Sequence, residues 1–184
     1  MADRLYFEIQ CICSFILLLV YFLRDDRKSP DKSIRFYTVL SFLVMSVALT
    51  DGLTVRFNGV DTAAAWFITQ FSSFYCDSAS YIVCGMWFWW TKMWMGNPDT
   101  FDFRKNIFWM IPASAGIILM ILNIPFHFIY WIDAANVFHR GPYFFILFII
   151  PFLYILLSFI YPFSWFMHEK NEAAKRRAAF MACM

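Results

Sequence analysis

The sequence predicts an all-α polytopic membrane protein: five transmembrane helices, N-terminus outside and C-terminus cytoplasmic, with a small extracellular β-hairpin between the fourth and fifth. Three observations predict it: the composition, a series of long apolar runs, and the uneven placement of Lys and Arg. Of 184 residues, 61% are apolar, 22% are aromatic with 24 Phe, and only 15% are charged. Soluble domains hold roughly 45–50% apolar residues on a similar tally. A compact soluble domain of this length has too little interior to hide the excess. An ordinary soluble enzyme, a disordered tail and a basic nucleic-acid binder are thereby excluded, and the lipid bilayer is the expected solvent.

A helix crossing a hydrocarbon core ~30 Å thick needs about 20 mainly apolar residues. The first such run, 4–23, is closed by Arg24-Asp25-Asp26-Arg27-Lys28. Asp3, Arg4 and Glu8 precede or enter it and no small-residue cleavage site follows, so it reads as a retained helix and not as a signal peptide. The second, 36–55, stops before Arg56 and the turn pair Asn58-Gly59. The third, 63–94, is unusually long and ends at Gly96-Asn97-Pro98. The fourth covers 107–128 and the fifth 142–167, leaving 168–184 as a basic cytoplasmic tail or the start of a further helix. The links are short, so residues 1–167 form one membrane domain. Pro112, Pro125, Pro151 and Pro162 are expected to kink the last two helices, because each lacks a backbone donor. The five Cys form an odd set with no Cys-x-x-Cys spacing, and read as small apolar residues.

Orientation follows from basic residues, which cytoplasmic loops retain. The 24–35 loop, the inner side of the third and fourth runs (Lys92, Arg104 and Lys105), and the tail together carry twelve Lys and Arg, against Arg4, Arg56 and Arg140 on the opposite side. Tryptophan agrees: Trp89, Trp90, Trp94, Trp109 and Trp165 gather at the inner boundary, while Trp66 and Trp131 mark the outer one.

Counted outward from the inner boundaries at 1.5 Å per residue, the intramembrane ionisable groups fall in one outer layer. Glu8, Asp51 and Asn123 lie about 6 Å below the outer surface and Asp77 about 9 Å, with His127 at the boundary. Among polar residues the inner halves hold only Ser and Thr. Ionisable groups at such depth are costly and commonly face a bundle interior or a water-filled cavity. Asp77 is flanked by Gln70, Ser72, Ser73, Ser78 and Ser80, which points to a wet, net-acidic pocket opening outward. Asp77, Asp51, His127, Asn123, Glu8, Trp131 and Arg140 are therefore the expected ligand-binding residues. For Asp77 the alternative is a buried carboxylate paired with Ser or Arg; for Glu8 and Asp51, interfacial solvation. For His127 it is a satisfied interfacial ring, with a metal-ligand role beside the acids the rarer option. Arg56 and Arg140 are placed to cancel the acidic charge.

Residues 129–142 carry two short β-prone runs around a turn bounded by Asp133 and Asn136, then Gly141-Pro142 at the start of the fifth helix. This is the expected hairpin, lying over the pocket either as a lid or as a tight connection. His168-Glu169 is not followed by the second His of a zinc-protease motif, and no phosphate-binding loop, nucleophile elbow or catalytic triad occurs. No enzyme activity, cofactor or metal is expected.

Three stretches carry a resemblance: Ala48-Leu49-Thr50-Asp51-Gly52-Leu53, the aromatic Tyr81 to Trp90 segment, and Ile129-Tyr130-Trp131-Ile132-Asp133 with Asn136-Val137-Phe138-His139-Arg140-Gly141-Pro142. With them the chain resembles the N-terminal multi-helix membrane region that precedes GGDEF diguanylate cyclase domains in bacterial, chiefly clostridial, signalling proteins. The likeness spans most of the chain, and none of its motifs is catalytic. It implies a sensory input module of the bacterial cytoplasmic (inner) membrane, here without its cyclase, either truncated or standalone. The expected partners are the lipid bilayer, an extracellular small molecule or ion, and a cytoplasmic output domain or protein, with homodimerisation left open and no nucleic acid. The rival expectation is a small membrane transporter or channel subunit, which calls for polar groups through the full thickness or paired broken helices.

Overall fold

The computed structural model describes residues 32–96 and 101–168, together with Ile9, Ile12, Ile16 and Val20, which are helical. The expected first span, the 24–31 loop, and the tail beyond His168 otherwise lie outside the described residues. The remainder is mostly helical with one two-stranded sheet: α1 (Lys32–Phe57), α2 (Ala63–Met95), α3 (Phe103–Asn106), a 3-10 turn (Ile107–Met110), α4 (Ile111–Phe126), β1 (Tyr130–Ile132), β2 (Phe138–Arg140) and α5 (Ile146–His168).

Among the described residues, three stretches are long and apolar enough to cross a membrane: Arg35–Phe57, Phe103–Phe126 and Ile146–His168. α2 has ample length at 33 residues, about 50 Å at 1.5 Å per residue, but its Ser, Gln, Asp and Tyr lower its hydropathy. It is the hub of the fold, packing on α1, α4 and α5. The main core joins Tyr81 and Phe88 of α2, Ala113 and Met120 of α4, Ile129 and Tyr130 at the hairpin, and Ile150 and Tyr154 of α5, all buried. Outward-facing positions of α5 such as Phe148, Phe152, Phe159 and Phe163 are at least half exposed or close to it, an apolar surface that suits lipid and not water.

The local chemistry explains the element ends. α1 stops at Phe57 because Gly59 supplies the left-handed conformation, φ 78°, that the turn requires. α2 starts where the Thr62 hydroxyl accepts the Ala65 N–H at 3.2 Å. The fourth predicted span is a composite: a 3-10 turn precedes α4, so Pro112 sits in the first turn of α4, where its missing N–H is tolerated. There the Tyr154 hydroxyl accepts from the Ala113 N–H at 3.2 Å and donates to the Trp109 carbonyl at 2.7 Å, bridging the donor and acceptor of one i→i−4 rung. The helix ends at Phe126 and not 128. The fifth span likewise begins at Ile146; residues 142–145 instead form successive turns closed by i→i+3 bonds from Gly141 onward.

Two ends of the bundle are distinguishable. At one, the α1–α2 turn and the hairpin are hydrogen-bonded together. At the other, Trp90 and Met95 of α2 are buried with Phe36 and Tyr37 of α1 and Tyr161 and Trp165 of α5 around them. Lys92 is held near this second end, donating to Asn106 Oδ1 and lying 5.1 Å from the Trp109 ring centre.

Candidate functional site

Alternation along the hairpin fixes what it offers to the bundle. Its register pairs Tyr130 with Arg140, Trp131 with His139 and Ile132 with Phe138. Side chains of successive strand residues point to opposite faces, so Tyr130, Ile132, Phe138 and Arg140 share one face and Trp131 and His139 the other. Tyr130 is buried, and Trp131 is exposed with its ring stacked on His139 at 5.3 Å.

The hairpin is anchored at both ends. Asn123, buried near the end of α4, accepts the Ile129 N–H at 2.7 Å and the Tyr130 N–H at 3.3 Å on Oδ1, and donates from Nδ2 to the Tyr130 carbonyl at 2.9 Å. Asn136, in the left-handed region at φ 60°, donates from Nδ2 to the Phe57 carbonyl at 2.7 Å and the Val60 carbonyl at 3.1 Å. Its own carbonyl accepts the Gly59 N–H, and Asn58 Oδ1 accepts the Phe138 N–H at 2.9 Å. Such a hairpin is a fixed roof, not a hinged lid. The turn itself is closed by the Asn136 N–H on the Asp133 carbonyl. On the exposed face His139 Nε2 lies 2.8 Å from Asp133 Oδ2. That bond, with the Val137 N–H, holds the Asp133 carboxyl below the usual carboxylate range.

Beneath the roof is a cavity of about 260 Å³. The last turns of α1 contribute Asp51, Thr54 and Val55, and Asn58 follows from the turn. Ser73, Cys76 and Asp77 come from α2, where i, i+3 and i+4 positions share a face. Phe138 and Arg140 come from β2, and Phe144 and Leu147 from the entry to α5. Asp51 and Asp77 line the same cavity from neighbouring helices. Asp77 has no hydrogen-bond or ion-pair partner among the described residues, and neither acid forms an ion pair with Arg140. The Arg140 guanidinium instead lies 4.8 Å from the Phe144 ring centre. Ser73, 5% exposed, has a buried hydroxyl with no hydrogen-bond partner among the described residues.

Of the expected site residues, the structure thus brings Asp77, Asp51 and Arg140 to one cavity. It does not bring the others there. Asn123 spends its amide on the hairpin backbone, as described. Trp131 cannot share a face with Arg140, because the two occupy positions of opposite parity in the paired strands. His127 is the exposed C-cap of α4 in the left-handed region at φ 54°, its N–H bonded to the Asn123 carbonyl. Among the described residues no three His, Cys, Asp or Glu gather as metal ligands. Glu8 lies outside the described residues. Ser73, expected beside Asp77, does line the cavity, whereas Thr54, Asn58, Phe138 and Phe144 are walls that the sequence did not assign; the period-2 alternation from Arg140 back to Phe138 was the available signal for one of them. No protein-family model, curated protein or solved structure matches the chain.

Proposed function

We propose that the chain is a membrane sensory input module that binds a small molecule or ion from outside in the Asp51–Asp77–Arg140 cavity and signals to a cytoplasmic output. In this reading five helices span a bacterial cytoplasmic membrane, with the N-terminus outside and the hairpin end facing the exterior. The observation that carries it is a pair of opposite charges, Asp77 and Arg140, that line one cavity without pairing. Arg140 is exposed and solvated, but a half-buried carboxylate such as Asp77 is costly unless something solvates or pairs it.

Two further features support the reading. The α1–α2 turn and the hairpin meet at one end, as two outer loops of this topology would. α5 also touches both ends, with Phe144 and Leu147 just before and within its start at the cavity and Tyr161 and Trp165 in the aromatic cluster. A ligand that prefers one setting of α5 shifts that setting's population, and the shift reaches the other end through the helix. The rival transporter reading needs a polar path through both halves, and the aromatic cluster at the far end argues against one. The test is thermal stabilisation of the purified full chain across a library of small metabolites, repeated with Asp77→Asn. Loss of the stabilisation in the variant supports the assignment; a hit that stabilises both proteins equally removes it.

A further inference from the structure

The cavity has walls of three kinds. Asp51 and Asp77 give it two carboxylates, Arg140 gives it one guanidinium, and Val55, Phe138, Phe144 and Leu147 give it apolar surface. Each simple class of ligand fails against one of them. An inorganic cation suits the carboxylates but is repelled by the guanidinium that shares the space. An anion suits Arg140 and meets two carboxylates. A plain amine leaves the Arg140 guanidinium in the wall without a ligand partner, and an apolar molecule leaves the Asp77 carboxylate unmatched.

Resting on the reading of this cavity as a ligand site, we propose that it recognises a small zwitterion, a free amino acid with an apolar side chain. Its ammonium meets Asp77 and Asp51, its carboxylate meets Arg140, and its side chain lies against Phe138, Phe144 and Leu147. A planar guanidinium matches a carboxylate through two parallel N–H···O bonds, and an ammonium donates three bonds that carboxylates accept. The Ser73 hydroxyl, buried in the same wall and without a partner among the described residues, is an acceptor or donor for the polar end of the ligand. A volume of about 260 Å³ admits one amino acid and excludes a folded peptide segment. Arg140 is held over Phe144 and the hairpin is clamped by Asn123 and Asn136, so the recognition groups are set before ligand arrives.

The test uses the full chain in lipid nanodiscs, with calorimetric binding and thermal shift for the standard L-amino acids. Any apolar amino acid that binds is compared with its amide, which lacks the carboxylate, and its N-acetyl derivative, which lacks the ammonium. The expected result is binding by an apolar amino acid, weakened about tenfold to a hundredfold by either change. Arg140→Gln is expected to erase the preference for acid over amide, and Arg140→Lys to restore part of it. Asp77→Asn is expected to erase the preference for the free over the acetylated amine. Each variant's melting temperature without ligand shows that it is folded. No binding by any amino acid, or an amide that binds as tightly as the acid, overturns the zwitterion. Modification of Cys76, in the cavity wall, by a small thiol reagent judges the cavity separately. If Cys76 reacts while every amino acid fails, the cavity reading stands without this ligand; if Cys76 is inert in the folded protein, both fall.

Discussion

Replacing Asn123 with Leu tests whether one side chain holds the roof over the cavity. The substitution keeps the branched shape of Asn in a somewhat larger side chain and removes three hydrogen bonds: two accepted from Ile129 N and Tyr130 N, and one donated to the Tyr130 carbonyl. Ile129 is 0% exposed and Tyr130 2%, so water cannot replace the lost partner. Each stranded buried backbone group costs about 1–3 kcal/mol. The apolar Leu returns at most about 1.5–2 kcal/mol through burial. With three groups stranded, the expected net loss is about 1–7 kcal/mol, read as unfolding free energy by steric trapping in bicelles. Amide hydrogen exchange is expected to rise over residues 127–140 first, while α1 and the middle of α2 keep their protection. Ile124→Leu, at a neighbouring exposed position, is the control and is expected to change little. A loss below about 0.5 kcal/mol with unchanged hairpin exchange would refute the clamp.

Three other expectations can be checked on the same preparations. Tyr154→Phe deprives the Ala113 N–H and Trp109 carbonyl of their bridging hydroxyl, and should cost about 1–3 kcal/mol in the same unfolding measurement. Gly141→Ala directs a Cβ onto the Phe128 carbonyl oxygen, backbone that cannot swing away, so the variant should be destabilised by about 1–3 kcal/mol and lose hairpin protection. The hairpin turn should also be acid-sensitive: the Asp133 carboxyl is held below its ordinary value near 3.8, so its contribution is present above that value and disappears as pH falls through the lower one. The protection of the Val137 amide, its exchange rate relative to the intrinsic rate at each pH, should fall in the native chain through that range, and Asp133→Asn should flatten the response.

Much of the architecture was legible because a few residues carry unambiguous physics. Gly59 and Gly96 mark helix ends, the apolar runs mark the long helices, and Asp133 to Asn136 mark a turn between two short strands. The misplaced boundaries have a local cause. Apolarity continues through 127–128 and 142–145, so composition could not separate helix from the hairpin's flanks. The site was legible only in part. Depth counting put Asp51, Asp77, Asn123 and His127 in one layer, and they do occur at one end of the bundle. A layer is not a pocket, however: the rotation of a helix decides which members converge, and that depends on packing. Asn123 turned to the hairpin backbone because Ile129 and Tyr130 had buried N–H groups to satisfy. Asn136 carries more structure than its reading as a turn residue suggested, since its partners lie 76 and 79 residues away in sequence. Nothing local in the chain announces such a contact.

The central claim is that the Asp77 cavity opens to the cell exterior. It is tested most directly on a chain whose only cysteine is Cys76, with Cys11, Cys13, Cys84 and Cys183 changed to Ser. Intact cells are treated with a small, charged, membrane-impermeant methanethiosulfonate, and modification is read by mass. The account predicts modification of Cys76 without permeabilisation, and its loss when a bulky reagent too large for the cavity is used. Modification only after the membrane is opened would place the cavity on the cytoplasmic side and contradict the account.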